Sequence, residues 1–325
     1  MIMTLEDLIY NRLIASQDLT DKLAKFNKLP AIFYQAAPGD QEEGWKGKKQ
    51  YPRIDFVVDM QANPERQSSG LMTLNIWCDE AGTPPEEIEP EVRAVLCDVF
   101  MQPAEQPPYC LAWVRSDSFE VSSNTLKGSH VNGITILFDV LAFPCQETTD
   151  PDPIMAMNEF IKEWEPAAIL IGRDKIQDYF TAANDRPAFY FRLATLETAE
   201  ETNTVVWMHG SIAGHIFAPT AEARLQWLKY LVDTLAYHGE VTMLDTSPMF
   251  IRSIKADSAA NYLITGQLRI NVRFGILRRP KYSHVLARTN IPREKLEEKV
   301  KVSVAPQPTA GYTVEYKLAG TDYEE

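Results

Sequence analysis

Apolar side chains at Leu5, Leu8, Ile9 and Leu13 repeat at the spacing of one helical face, and Thr4 followed three residues later by Asp7 supplies a capping signal at its start. A helix buried along one stripe is predicted there. The next segment, APGDQEEGWKGKK, is rich in charge and glycine and reads as a loop. Pro52 then leads into RIDFVVD, whose β-branched and aromatic residues suit a strand. The polar stretch QANPERQSSG separates that strand from LMTLNIWC, where Met72, Leu74, Ile76 and Cys78 alternate with Thr73, Asn75 and Trp77. Pro84 and Pro85 open a second helix with an acidic first turn and the stripe Ile88, Val92, Val95, Leu96 and Val99. Two strands, YCLAWVRSDSFEV and GITILFDVLAF, complete this unit.

The same order restarts near Thr149, where Pro151 and Pro153 mark a join and Ile154, Met157, Phe160, Ile161 and Trp164 form a helical stripe. Pro187 introduces the strand AFYFRLATL as Pro52 introduced RIDFVVD. The polar loop ETAEETN then stands before the strand TVVWMHGSIAGHIF. Thr220 is an N-cap for a long helix through Leu225, Leu228, Leu231, Val232 and Leu235 that stops at Gly239. A final strand pair is predicted from EVTMLDTSPMFIRSI and YLITGQLRINVRFGIL. In the second of these, apolar positions from Ile264 through Gly266, Leu268, Ile270, Val272, Phe274 and Ile276 alternate with polar ones. The predicted class is therefore α+β, with two tandem modules, residues 1–149 and 150–290, each an antiparallel sheet packed with helices. Order, not residue identity, carries the correspondence, and it suggests duplication. Beyond Pro280, REKLEEKVKVSV and QPTAGYTVEYKLAGTDYEE lack a core-sized element, so residues 291–325 read as an extension. A strand from YTVEYKL added to a neighbour's sheet edge and a disordered tail are both open readings of it.

Composition adds a charge asymmetry to this picture. The formal net charge of the chain is −13, of which residues 1–150 carry −11, residues 151–290 carry 0 and the rest −2. So acidic a first half repels nucleic acid, although a charged solubilising surface explains the number equally well. No apolar run approaches the roughly 20 residues of a membrane span, and the start MIMTLEDLIYNRL lacks the apolar core of a signal peptide, so a soluble cytoplasmic product is expected. Cys78, Cys97, Cys110 and Cys145 show neither metal-site pairing nor disulfide density and are expected to be buried thiols.

Neither a Walker pattern nor GxGxxG occurs in the sequence. His209 and His215 fall on one face of a predicted strand, but a metal site needs further converging ligands, and isolated histidines are more often structural. A metal-dependent nuclease would need acidic residues and a lysine around one phosphodiester. Its letters are scattered: Asp152 in the join, Glu297, Glu298 and Lys299, and Glu315 and Lys317 in the extension. Lys46, Lys48 and Lys49 beside Trp45 suit DNA by charge and stacking, yet a solvated loop or an acidic protein partner fits them better.

The order of helix, long loop, proline-led strand, second strand, helix and strand pair resembles the tail terminator and tail-completion family of long-tailed bacteriophages. Residues 1–145 carry the likeness in TLEDLIYNRLIAS, YPRIDFVVD, LMTLNIWCDE, EEIEPEVRAVLCDVF and NGITILFDVLAF. Members usually have one such module, so residues 150–325 depart from the pattern and leave six or three subunits per ring open. The resemblance implies a ring, hexameric in the family, that sits on the last layer of the tail tube, halts its growth and offers a platform to head–tail connector proteins. It implies no cofactor, no metal and no catalytic residues, no membrane, and DNA passing through without specific binding. The protein would be assembled in the host cytoplasm and end in the virion, at the head-proximal end of the tail. A tube, sheath or connector subunit is the alternative within the structural class. Loops 36–50, 61–70 and 197–204 are the candidate contacts between subunits or with the tube. Their named residues are Trp45, Lys46, Lys48 and Lys49, then Asn63, Glu65 and Arg66, then Glu197, Glu200 and Glu201.

Overall fold

The computed structural model describes residues 3–39, 42–45, 49–80, 82–122 and 130–278. Helix α1 (Leu5–Ala15) starts on the expected capping box: the Thr4 hydroxyl accepts from the Asp7 N–H, and the Asp7 carboxylate accepts from the Thr4 N–H. A short α2 (Gln17–Thr20) and a hairpin of β1 (Lys25–Phe26) and β2 (Leu29–Pro30) lead to β3 (Ile32–Tyr34). The first half continues with β4 (Arg53–Asp59), β5 (Gly70–Asp79), α3 (Pro85–Leu96), β6 (Phe100–Met101), β7 (Tyr109–Ser122) and β8 (His130–Ala142). Alternation in RIDFVVD and LMTLNIWC sends Ile54, Phe56, Val58, Met72, Leu74, Ile76 and Cys78 to the face covered by α1 and α3. On that face they meet Ile134, Ile136, Phe138 and Val140 of β8 in one core.

The second half comprises α4 (Pro153–Trp164), β9 (Ile169–Leu170), β10 (Tyr179–Phe180), β11 (Ala188–Glu201), β12 (Val205–Phe217), α5 (Ala221–His238), β13 (Glu240–Thr242), β14 (Pro248–Ala256) and β15 (Leu268–Leu277). Asp152 caps α4, and Thr220 caps α5, which ends on the left-handed Gly239. Its core gathers Phe189, Phe191, Ile212, Ile216, Leu268, Ile270, Val272 and Phe274 beneath Leu228, Leu231 and Leu235.

The two sheets have the same strand order. In the first, β3, β4, β5, β8, β7 and β6 lie side by side, and in the second β9, β11, β12, β15, β14 and β13 do so. The fold is α+β, yet neither sheet is wholly antiparallel as expected. Ile32 pairs with Ile54 and Ile169 with Ala188 in parallel, because residues 35–52 and 171–187 are long enough to carry the chain back to the same end of the sheet.

Other expectations are corrected. EVTMLDTSPMFIRSI is two strands, since Asp245 accepts from the Ser247 N–H and hydroxyl and Thr246 adopts a left-handed turn conformation. The strand expected from Tyr262 begins only at Leu268: Asn261 accepts from the N–H groups of Leu263 and Ile264, and Gly266 has a positive φ. ETAEETN is no loop up to Glu201, because its residues pair with β12. Leu225 and Trp164, assigned to buried stripes, are exposed. The four thiols are not uniformly buried either: Cys78 and Cys110 are, Cys97 is half-buried, and Cys145 is exposed.

The halves are joined as one compact unit that ends at Ile276. A third apolar cluster combines Phe100, Cys110, Leu141 and Phe143 with Ala188, Tyr190 and Phe217. The Phe143 ring meets those of Phe100, Tyr190 and Phe217 edge to face at 5.3, 5.1 and 5.6 Å. The Tyr262 hydroxyl donates to Asp98 at 2.6 Å, and β10 pairs with β6, making the first sheet seven-stranded. Of the expected modules, residues 279–290 and the extension 291–325 lie outside the described residues.

Candidate assembly site

The three predicted loop groups are placed differently. Trp45 is buried: its ring packs at 5.0 Å from Phe26 and 5.8 Å from Phe33, and its indole N–H donates to the Gly39 carbonyl. It therefore anchors its loop from within instead of presenting a ring to a partner. Lys49 is exposed, while Lys46 and Lys48 lie outside the described residues. In the 61–70 loop the Asn63 side chain accepts from the N–H groups of Glu65 and Arg66, which shapes the turn. Arg66 grips the buried Asp139 of β8 through two nitrogens, Nε at 2.9 Å and a terminal NH2 at 2.8 Å. Glu65 remains exposed at the tip. Glu197, Glu200 and Glu201 sit on the outer part of β11, opposite His209, Trp207 and Val206, and Glu200 accepts from Arg273 at 2.8 Å. The 61–70 loop and the outer end of β11 are thus held by side chains of β8 and β15, which suits surfaces that must hold their shape.

The sheet faces turned away from the helices both carry charged and polar ladders. On the first, Asp55 lies buried in β4 and accepts from Asn75 at 2.8 Å and from the Trp77 indole, and Asn75 in turn accepts from Thr135 at 2.8 Å. Burial pushes the Asp55 carboxyl up from the usual range, and its hydrogen bonds and Arg53 partly offset this. Asp139 shares this face, four pairs along the β5–β8 ladder from Thr135. On the second, Arg269 pairs with Lys255 and Arg273 with Phe250, so β14 and β15 present three cations on one side. The ladder around Asp55 has a sequence signal, an Asp in the middle of the apolar run RIDFVVD.

Among the described residues, the candidate metal and catalytic residues do not converge. His209 and His215 share a face of β12 but stand six residues apart, roughly 20 Å along an extended strand. His209 is exposed, whereas His215 is buried with both nitrogens engaged: Nε2 accepts from Arg192 at 3.2 Å and Nδ1 donates to the Tyr262 carbonyl at 2.8 Å. Among the described residues no group of three or more His, Cys, Asp or Glu is placed to hold a metal ion. Asp152 is committed to capping α4 through the N–H groups of Ile154 and Met155. Glu297, Glu298, Lys299, Glu315 and Lys317 lie outside the described residues.

Burial lowers the His215 pKa from 6.5 to about 4, so the folded protein keeps it neutral. In the unfolded chain the imidazole takes up a proton near pH 6.5, which the folded one resists. This contribution is therefore fully present above pH 6.5 and is lost as pH falls towards 4, amounting to roughly 3 kcal/mol. Urea titrations across this range should show the decline, and His215→Gln should flatten it.

Among the described residues no helix is long and apolar enough to cross a membrane. Neither protein-family models nor curated proteins match the chain. What defines it is therefore its own architecture: a tandem α+β repeat, its halves fused through an aromatic cluster and a shared strand.

Proposed function

We propose that this chain is a structural subunit of a ring that caps a phage tail tube, stops its elongation and offers the surface joined to the head. The observation that carries this reading is the repeated strand order, with its parallel first pair, in two halves fused into one body. Like surfaces set side by side in this way are the repeating geometry of a closed ring, which works through its faces and needs no cofactor. The resemblance of residues 1–145 to tail terminators supplies the tube as partner. The anchored loops at residues 61–70 and the outer end of β11 supply shaped contacts with tube or connector proteins. An acidic first half suits a conduit for DNA, whose phosphates it repels. Electron microscopy of the protein mixed with preassembled tubes tests the reading. Density at one end only is expected, and protein spread along the tube length would make it a tube or sheath subunit instead. Cleavage of DNA that depends on a divalent ion would point to the nuclease reading.

A further inference from the structure

We infer that the outer edge of β13, with the cleft between it and α4, is the docking surface for a second copy of this chain, which enters with the segment between its β3 and β4. The inference rests on the ring reading and names the contact that would build the ring. Its template lies within the chain. In the first half the edge of β6 is covered by β10: Met101 pairs with Tyr179, Phe100 with Phe180, and the Gln102 N–H donates to the Asp178 carbonyl at 3.2 Å. Tyr179 also reaches the helix beside that edge, where its hydroxyl donates to the Leu8 carbonyl at 2.8 Å and Arg12 lies over its ring.

The second half repeats this arrangement without its occupant. Met101 and Val241 are the core-facing residues of β6 and β13, so Thr242 stands where Gln102 stands. The Gly239 carbonyl accepts from the Ile251 N–H, and the Met243 N–H donates to the Ser247 carbonyl. Alternation along the strand therefore turns the backbone groups of Glu240 and Thr242 to the outer side. Among the described residues no strand pairs with β13 on that side. The helices correspond as well. With the caps Thr4 and Asp152 aligned, buried Leu5, Leu8, Ile9 and Leu13 match buried Pro153, Ala156, Met157 and Ile161. Arg12 then matches Phe160, while Asn11 and Ala15 match Glu159 and Glu163. Those three residues of α4, with Lys162 and Thr242, line an open cleft of about 470 Å³ at the place that corresponds to the seat of Tyr179.

Correspondence between the halves selects the occupant. β10 belongs to residues 171–187, between β9 and β11; the counterpart between β3 and β4 is residues 35–52, nearly equal in length. That segment carries Lys46, Lys48 and Lys49 after Asp40, Glu42 and Glu43, and the cleft offers the exposed Glu163 where α1 has Ala15, beside Lys162 and a Glu159 that pairs with Arg173. The first half of one copy thus meets the second half of another, a heterologous contact that closes into a ring when the rotation per subunit allows.

Sedimentation of the full chain tests this. Thr242→Pro removes an outward N–H without breaking the β13–β14 ladder, and Glu163→Lys reverses charge at an exposed position. Each is expected to weaken ring assembly at least tenfold with the melting temperature unchanged, and combining Glu163→Lys with Lys49→Glu should restore it. Zero-length cross-linking of mixed isotope-labelled copies should join Lys49 of one copy to Glu163 of another. Rings that persist in both single variants, or cross-links from Glu163 to lysines of residues 291–325 in the same copy, would overturn this interface and leave the ring reading standing. A wild-type chain that never assembles would overturn both.

Discussion

Ile270→Asp is expected to unfold the second half of the molecule. Ile270 is fully buried on β15, paired with Ile254 and surrounded by the core beneath α5. A carboxylate there would lose its hydration among the apolar side chains of that core, a cost on the order of 4–5 kcal/mol, comparable to the whole stability of many domains. Urea unfolding followed by circular dichroism measures it. Unchanged stability would mean that the side chain faces solvent and the strand is inverted.

Phe143→Ala should have a different signature, because this ring belongs to the join between the halves and not to either core. It follows the end of β8 and touches Phe100, Tyr190 and Phe217, so its loss leaves a cavity lined from both sides. The expected cost is about 3–5 kcal/mol. Beyond the size of the effect, calorimetry should show one transition for the wild-type chain and two for the variant, since each half retains its own core once coupling weakens. One unsplit transition at a lowered temperature would show that the halves cannot stand apart.

Which parts of this fold could be read in the sequence follows from length and burial. Elements of seven or more residues with one buried face announced themselves: α1 by its cap and stripe, and β4 and β5 by strict alternation into one core. Two-residue strands such as β6, β9 and β10 carry no period, so the parallel pairs and the strand shared between the halves stayed invisible. Alternation also misled where turn chemistry overrode it, as at Asn261 and Gly266, and polarity misled at Glu197–Glu201, where cross-strand pairing with β12 holds an acidic segment extended. Of the candidate contacts, Arg66 was recognisable as a loop residue but its clasp on Asp139 depends on residues 73 positions apart. Trp45 looked like a surface anchor because nothing local reveals the rings of Phe26 and Phe33 around it. The β13 edge has no signature at all in its own residues, and only the comparison of the halves exposes it.

The most direct test of the capping role is tube growth itself. Tail tube subunits would be polymerised with and without this protein added partway, and tube lengths measured by electron microscopy over time. Growth should stop on addition, with one ring at one end of each arrested tube. Lengths that continue to increase at the original rate, or protein incorporated throughout the tube, would contradict the account.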